Sequence, residues 1–469
     1  MHKLFNLNFI YLILIATEIV AIVFLCILLP SFIPVTAVAF FLSWLLNLIA
    51  GTVAYCKGAS PEISCSVILM IIALPIAGAL IYLFSSMAKK SRGTLKIEGG
   101  EPLTGEERQV KGLCGTGGVG YDRAVYLKNG EEYFPLLFKE IGKAKESVCL
   151  EFFIVHRGKI FEQLLDALKS ARDNGAEIKF IIDGIGSAFK MGRREIKLLR
   201  AIGVRVKIFH RLKPLFYTSL NNRDHRKIAV IDGKVAFTGG FNIGDEYANI
   251  SSPYGYWKDT GVAIYGKGAE VFEGLFLSVW NRGHAISVSD SGKSRCIPYF
   301  DSPPSLSGIA ENLYMTAISS AQRRVHILTP YFSAGEKIND ALALASMRGV
   351  DVRIIIPHIP DKKYAFELSK TCASKLLGSG IKFYEYTPGF MHAKSMVCDE
   401  KVFLGTYNFD FRSLRLNYEC GVIFDGEICE QVERDFSESM RLSMPFVPVK
   451  AKPFRSVYRF FLKLFAPLF

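Results

Sequence analysis

The chain has 469 residues, 50% of them hydrophobic, and a formal charge of +13, with a mean hydropathy of +0.24. That apolar share exceeds what a water-soluble domain carries, and the composition excludes collagen-like, low-complexity and disordered classes. Residues 1–88 hold only Lys3, Glu18, Lys57 and Glu62 as charges, so the whole excess sits on the later residues. Those number about 380, enough for two domains.

Three apolar runs open the chain, at residues 9–29, 35–55 and 64–85. Each has about the 20 residues an α-helix needs to cross a bilayer, and together they exceed a cleavable signal peptide. Pro30 and Pro34 bracket the first break, and Lys57 to Glu62 mark the second. The short first break leaves two or three spans open. Lys89, Lys90 and Arg92 follow the third run, which predicts the remaining chain on the cytoplasmic side. Glu18, in mid-span, reads either as a functional intramembrane group or, more simply, as a protonated or helix-facing carboxylate.

Next, Gly115, Gly117 and Gly120 satisfy G-x-G-x-x-G. No strand leads into them and no helix clearly follows, so a surface loop is expected rather than a nucleotide site. The chain then repeats itself. A strand (148–155), a helix (160–173), Gly175, a strand (178–182), a further helix, Gly203 and a strand (204–209) form the first copy. A strand (325–328), a helix (335–348), Gly349, a strand (352–356), a helix, Gly380 and a strand (381–386) form the second. Apolar β-branched runs alternating with glycine-stopped helices predict an α/β class of parallel sheets covered by helices, in two similar lobes with the site between them. The expected boundaries are a transmembrane region 1–92, a first lobe 93–286, a linker 287–308, a second lobe 309–446 and a basic tail 447–469. The ten cysteines contain no C-x-x-C pair, and Cys398 and Cys420 read as buried, reduced thiols.

Each lobe closes its repeat with H-x-K-x-x-x-x-D: His225, Lys227 and Asp232 in the first, His392, Lys394 and Asp399 in the second. About 0.02 such matches are expected per chain by chance at average composition. Residues i and i+2 of a strand project from one face, so each histidine and its lysine share one space. Asp232-Gly233 signals a hairpin returning to Gly239-Gly240-Phe241-Asn242, and the second lobe returns to Gly405-Thr406-Tyr407-Asn408. Two such sites suit phosphodiester exchange without a metal. One histidine attacks phosphorus while the other protonates the leaving alkoxide and then activates the incoming hydroxyl. Lys227, Lys394, Asn242 and Asn408 would hold phosphoryl oxygens, whereas Asp232 and Asp399 would sooner shape the turns or orient a lysine.

With these motifs the sequence resembles the phospholipase D superfamily, and within it the bacterial cardiolipin synthases, over nearly its whole length. The resemblance is also carried by Gly239 to Tyr247, Tyr256-Trp257-Lys258-Asp259-Thr260, Pro388 to Lys394, Asn408 to Ser413 and Asn417-Tyr418-Glu419. It implies that Asp259 and Glu419 orient the two histidines and that His225 is the nucleophile, a role the residues alone leave open between His225 and His392. It further implies that two phosphatidylglycerols give cardiolipin and glycerol at the cell (inner) membrane, with no ATP, metal or other cofactor. Gly240 stands where many superfamily members carry serine. One residue fewer separates Asp399 from Gly405 than Asp232 from Gly239, which predicts a displaced Asn408.

Nine basic residues and one acid, Glu195, lie between Lys190 and Lys213; a solvated face explains them as well as a lipid surface does. In the tail, Arg455, Arg459 and Lys463 are spaced as one helix face opposite Tyr458, Phe461, Leu462, Phe465 and Leu468, the pattern of an interfacial helix on an anionic bilayer. The spans and the tail weigh against nucleic acid as partner. The residues leave a hydrolytic phospholipase as the near alternative, and a nuclease or a non-catalytic scaffold as more distant ones.

Overall fold

A computed structural model of the chain describes residues 33–57, 61–73, 78–79, 82, 96–99, 104–188, 190–210, 222–281, 285–288, 294–303, 308–448, 458–459 and 462. It divides into two compact units, one formed by 1–89 with 213–221 and 463–469, the other by 90–212 with 222–462. In the first unit, helices α1 (Ile33–Lys57) and α2 (Pro61–Ala73) pack through Ala50, Ala54, Val67 and Ile71. The faces away from this seam carry Phe41, Leu42, Trp44 and Leu48, all exposed. The side chains of α1 are described at residue 38 and over 41–56, and among the described residues no helix is long and apolar enough to cross a membrane. The run 9–29, Glu18 and the Lys89–Arg92 cluster lie outside the described residues.

The second unit begins with β1 (Lys96–Gly99), α3 (Gly105–Cys114), β2 (Val119–Tyr121), β3 (Arg123–Leu127) and α4 (Gly130–Gly142). The first repeat follows as β4 (Ser147–Phe152), α5 (Lys159–Asp173), β5 (Glu177–Asp183), α6 (Arg193–Ala201) and β6 (Arg205–Phe209). Then come the hairpin β7 (Lys227–Ile231) and β8 (Val235–Gly239), β9 (Tyr256–Lys258), β10 (Gly261–Tyr265) and α7 (Gly268–Asn281). One sheet takes seven of these strands, in the order β3-β10-β8-β7-β4-β5-β6.

After β11 (Ala285–Val288) and β12 (Ser294–Asp301), the second copy runs α8 (Ile309–Ser320), β13 (Arg324–Leu328), β14 (Phe332–Ser333), α9 (Glu336–Met347), β15 (Asp351–Pro357), α10 (Lys363–Leu376) and β16 (Lys382–Tyr386). It continues with β17 (Gly389–Met391), the hairpin β18 (Ser395–Cys398) and β19 (Lys401–Gly405), β20 (Phe409–Asp410), α11 (Phe411–Arg415), β21 (Glu419–Asp425), α12 (Gly426–Arg441) and β22 (Ser443–Pro445). Its sheet is ordered β2-β12-β21-β19-β18-β13-β15-β16-β22. The run from β12 to β16 repeats the strand order and directions of the first sheet.

The repeat strands fall where their apolar runs predict, and Gly175, Gly203, Gly349 and Gly380 stop their helices with φ of 87–95°. The sheets are mixed rather than parallel. Within the two large sheets only β4-β5-β6 and β13-β15-β16 run parallel, because each H-x-K strand turns straight back through a tight hairpin. Three further expectations change. Residues 294–301, placed in the linker, form a strand of the second sheet. Segment 105–121, placed in the first lobe, packs on the second, where β2 pairs with β12 and Cys114 joins the core. Of the G-x-G-x-x-G glycines only Gly115 is exposed, while Gly117 and Gly120 run buried into β2 rather than over the surface.

Both faces of both sheets are covered. In β7, Ala229 and Ile231 face the helices α4 and α5, while Ile228 and Val230 face the second lobe. There they meet Val397, Leu404, Val422 and Phe424 of the second sheet, with α7 and α12 closing the sides. This double burial is why the strands read as continuous apolar runs. Of the basic stretch after Lys190, Lys207 donates to the carbonyls of Val279 and Trp280 at 2.8 and 2.7 Å, whereas Arg193, Arg194, Lys197 and Arg200 are exposed. In the tail, Arg459 Nε donates to Glu367 at 3.2 Å, so that residue of the proposed lipid-facing row meets a protein acid. Arg455 and Lys463 lie outside the described residues.

Candidate active site

The two hairpins bring the motif lysines to matching places despite unequal turns. Asp232 and Gly233, both with positive φ, make the tight turn of the first hairpin, closed by Lys234 N–H donating to Ile231 at 2.9 Å. Ile231 there pairs with Val235, while Cys398 pairs directly with Lys401. Continued to the strand ends, both registers set the motif lysine opposite a glycine, Lys227 with Gly239 and Lys394 with Gly405. The turn absorbs the missing residue, so it does not displace Asn408.

Asp232 and Asp399 stand at the far ends of these strands. Asp232 accepts from the backbone N–H groups of Lys145, Glu146 and Ser147 at 2.8–3.2 Å, and Asp399 from those of Gln322, Arg323 and Arg324 at 2.8–3.0 Å. Each thereby ties its turn to the preceding helix–strand junction. Both carboxyls are held below the usual range, against burial, by these amide donors. Asp232→Ala should cost about 1–2 kcal/mol, reduced from the full value by solvent. Because its acidity is enhanced, that stability is present at neutral pH and lost as acid protonates the carboxyl. Denaturant titration should show the loss, with turnover per folded molecule unchanged.

The histidines come together through crossed backbone bonds. His225 N–H donates to Tyr418 O at 3.0 Å, and His392 N–H donates to Lys258 O at 2.7 Å. Parallel pairing of β9 with β17 sets Lys258 beside Met391, one step before Asp259 and His392. A Cβ on Gly389 would come within 2.3 Å of the Tyr256 backbone, so only glycine permits this approach. Each histidine is consequently held by the acid of the other lobe. Nδ1–H of His392 donates to Asp259 at 2.5 Å, and Nδ1–H of His225 donates to Glu419 at 2.8 and 3.0 Å. Both acids thus hold Nδ1 and not Nε2.

The acids are fixed in turn. Asp259 accepts from Thr260 N–H at 2.9 Å and from the Trp257 indole at 3.3 Å. Glu419 accepts from the Thr406 hydroxyl at 2.5 Å and from Asn417 at 3.2 Å. Lys227 donates to the carbonyl of His225, and Lys394 to that of His392. Phe153 packs edge-on to His225 at 4.9 Å, and Trp257 lies 4.8 Å from His392. Sequence reasoning gives Thr260, Thr406 and Trp257 no role although they lie within its motif segments, and it misses Phe153 altogether, because nothing in their local pattern separates them from core residues.

Asn242 and Asn408 are turned to the protein. Asn242 accepts from Ile154 N–H at 3.0 Å and donates to the Tyr247 hydroxyl at 3.1 Å, while Asn408 donates to Asp410 at 3.0 Å. Through these bonds the amides brace the site, while Asn408 Oδ1 is buried without a hydrogen-bond partner among the described residues. Gly240 has a clear reason here. A Cβ would fall 1.8 Å from Asp259 Oδ1, an atom fixed by the Thr260 amide, so the serine common elsewhere does not fit. Gly240→Ala should displace Asp259 and lower kcat by about 10²-fold, the scale of a lost acid–base alignment. Thermal melting alongside the kinetics should separate this from general unfolding.

Burial sets the electrostatics. It drives His225 well below the imidazole value, with Lys227, Lys394, Lys362 and Arg223 pushing the same way. It lowers His392 to about 4, aided by Lys394 and opposed by Asp259. The same desolvation brings Lys227 to about 7 and Lys394 to about 8. The acids differ. Burial pushes Glu419 up to about 7, whereas Asp259 stays below the carboxylate range because His392 and Lys394 outweigh its burial.

A family model described as cardiolipin synthase, PLD-like domain, matches residues 137–266 and 314–440. A cardiolipin synthase of Geobacillus thermodenitrificans is 35% identical over 356 residues, covering 71% of this chain and 69% of its own. A probable cardiolipin synthase of Bacillus subtilis, YwiE, is 34% identical, covering 69% of this chain and 67% of its own. Among solved structures, phosphatidylserine synthase of Haemophilus influenzae Rd KW20 superimposes with a TM-score of 0.59 at 15% identity. That match covers 78% of this chain and 100% of the other, and it shows a shared fold.

Proposed function

Because the chain belongs to the family of PLD-like cardiolipin synthases, we propose that it joins two phosphatidylglycerols into cardiolipin and releases glycerol. The observation that carries the reading is the crossed pair: two histidines, each held at Nδ1 by an acid of the opposite lobe, with a buried lysine beside each. His225 Nε2 attacks the donor phosphorus, the P–O bond to glycerol breaks, and His392 supplies the proton that the alkoxide takes. The acceptor hydroxyl then returns a proton to His392 as its oxygen bonds phosphorus and the P–N bond breaks.

The difference between the acids supports this division of roles. A charged Asp259 works against the burial that lowers His392 and so raises its share of imidazolium, whereas Glu419, pushed up to about 7, favours a neutral imidazole at His225. Lys227 and Lys394 neutralise the phosphoryl oxygens as charge builds. The apolar runs and the outward Phe41, Leu42 and Trp44 support membrane attachment beside the lipid substrate. The positive cluster after the third run supports a cytoplasmic catalytic body.

Since both ammonium groups titrate near neutrality, anion binding should weaken with rising pH. Sulfate, a dianion throughout, should inhibit at least about tenfold more tightly near pH 6 than near pH 9. The sign follows from the lysines, which are charged below their pKa and neutral above it. Affinity independent of pH would remove them from the phosphate site.

The function itself is tested by mass spectrometry of phosphatidylglycerol incubated with purified protein in mixed micelles. Cardiolipin with equimolar glycerol, absent with His225→Ala, is the expected result. Phosphatidic acid alone would make the protein a hydrolase instead.

A further inference from the structure

Two arginines that the chemistry above leaves unused converge beside His225. From 223 to 227 the chain is extended, with Asp224 bridged in parallel to Tyr418. Alternation therefore puts Arg223, His225 and Lys227 on one face. Asp224 and Arg226 occupy the other, where Arg226 meets Glu151 at 3.6 Å. Arg223 Nε is buried and has no hydrogen-bond partner among the described residues.

Arg412 belongs to the second lobe and stands near enough to Arg223 for the two charges to act on one another. It lies in α11, its carbonyl accepting from Leu416 and Asn417 at 2.8 and 3.0 Å. The next residue, Tyr418, donates its N–H to Arg223 O at 2.8 Å and accepts from His225. The backbone thus ties both arginines to the strand pair that holds the nucleophile. Lys362 stands at the start of α10, its ammonium 5.5 Å from the Tyr331 ring centre and near enough for its charge to act on His225.

The electrostatics agree with this convergence. Arg412 is lowered to about 10, first by burial and next by the like charge of Arg223, against the opposing pull of Asp410, Tyr364 and Asp183. Arg223 and Lys362 both contribute to lowering His225. The acid facing Arg223 is Asp183, whose carboxylate accepts from the amides of Ile185, Gly186 and Asp224 at 2.7–3.1 Å. Guanidinium groups gathered in a partly desolvated place repel one another, and a bound anion reverses that repulsion.

The reaction needs such a place. Both phosphatidylglycerols are anionic, and Lys227 and Lys394 serve only the phosphate under attack. The acceptor must present its terminal hydroxyl at that phosphorus while its own phosphodiester rests one glycerol length away, next to His225.

We propose that Arg223, Arg412 and Lys362 form a second anion subsite, which holds the phosphodiester of the acceptor phosphatidylglycerol. This rests on the phosphatidyl-transfer reading above. The subsite positions the acceptor and takes no part in bond making. The acceptor oxygen bonds phosphorus, its proton passes to His392, and the P–N bond to His225 breaks, so no further reactant enters.

The test uses the full chain in neutral-detergent micelles of phosphatidylglycerol with isotopically labelled glycerol. Labelled glycerol is an acceptor without a phosphate, so its exchange into phosphatidylglycerol reports the donor half-reaction. Cardiolipin formation reports the anionic acceptor in the same tube. With Arg412→Gln or Arg223→Gln, the ratio of cardiolipin formed to glycerol exchanged should fall at least tenfold. Arg412→Lys, which keeps the charge, should recover part of that ratio. Because both products come from the same molecules, partial unfolding cancels. A ratio equal to that of the wild type, with both reactions present, would overturn the subsite alone. A wild-type protein that catalyses neither reaction would overturn the function, and the subsite with it.

Discussion

His225→Ala should abolish both halves of the reaction, leaving glycerol release and cardiolipin formation at least about 10⁴-fold below wild type. His392→Ala should behave differently. Loss of a proton donor slows the natural substrate by about 10²–10⁴-fold. A phosphatidyl ester of p-nitrophenol, whose leaving group needs no proton, should still give a burst of one equivalent of nitrophenol. Acid-labile, alkali-stable phosphate on His225 should accompany it. The asymmetry comes from the acids behind the two rings, Asp259 holding its charge and Glu419 pushed up to about 7. A burst from His225→Ala and none from His392→Ala would exchange the roles.

Asp259→Asn should lower kcat by about 10²–10⁴-fold, the scale on which removing an imidazole's carboxylate partner disturbs its tautomer and its cation. Asp259 lies in the first lobe, yet it acts on His392 in the second through a 2.5 Å hydrogen bond. It also raises the pKa of His392, so its loss should move the optimum of the remaining activity toward acid. Glu419→Gln, acting on His225, should cost less, about 10–10²-fold. A glutamic acid near its pKa contributes less charge, and glutamine keeps a carbonyl for the Nδ1 proton. Full pH–rate profiles of both variants check the order. Equal losses with unshifted profiles would mean that the two acids serve only as packing.

The crossing of these partners marks the limit of what the sequence can say. Each acid stands downstream of its own motif, which invites pairing within a lobe. The structure pairs them across lobes, because β9 runs beside β17 and Asp224 beside Tyr418. Neither contact leaves a trace in residue spacing, since the partners are 133 and 194 residues apart. For the same reason residue spacing does not relate Arg223 to Arg412, although the charge of one acts on the other.

What the sequence determined by itself is local or repeated. Strand positions, glycine-stopped helices, the duplicated body and the histidine–lysine pairs all follow from periodicity and spacing, which act over a few residues. The tight turn at Asp232-Gly233 and the role of its aspartate as a shaper of that turn belong here too. The tertiary structure decided what depends on distant chain meeting. It turned the expected parallel sheets into mixed ones, moved segment 105–121 onto the second lobe and directed Asn242 and Asn408 to protein partners. It also explained Gly240, whose missing side chain leaves room for Asp259. Hydrophobic pattern is read one element at a time, whereas a buried acid finds its histidine only when two sheets close over a common core.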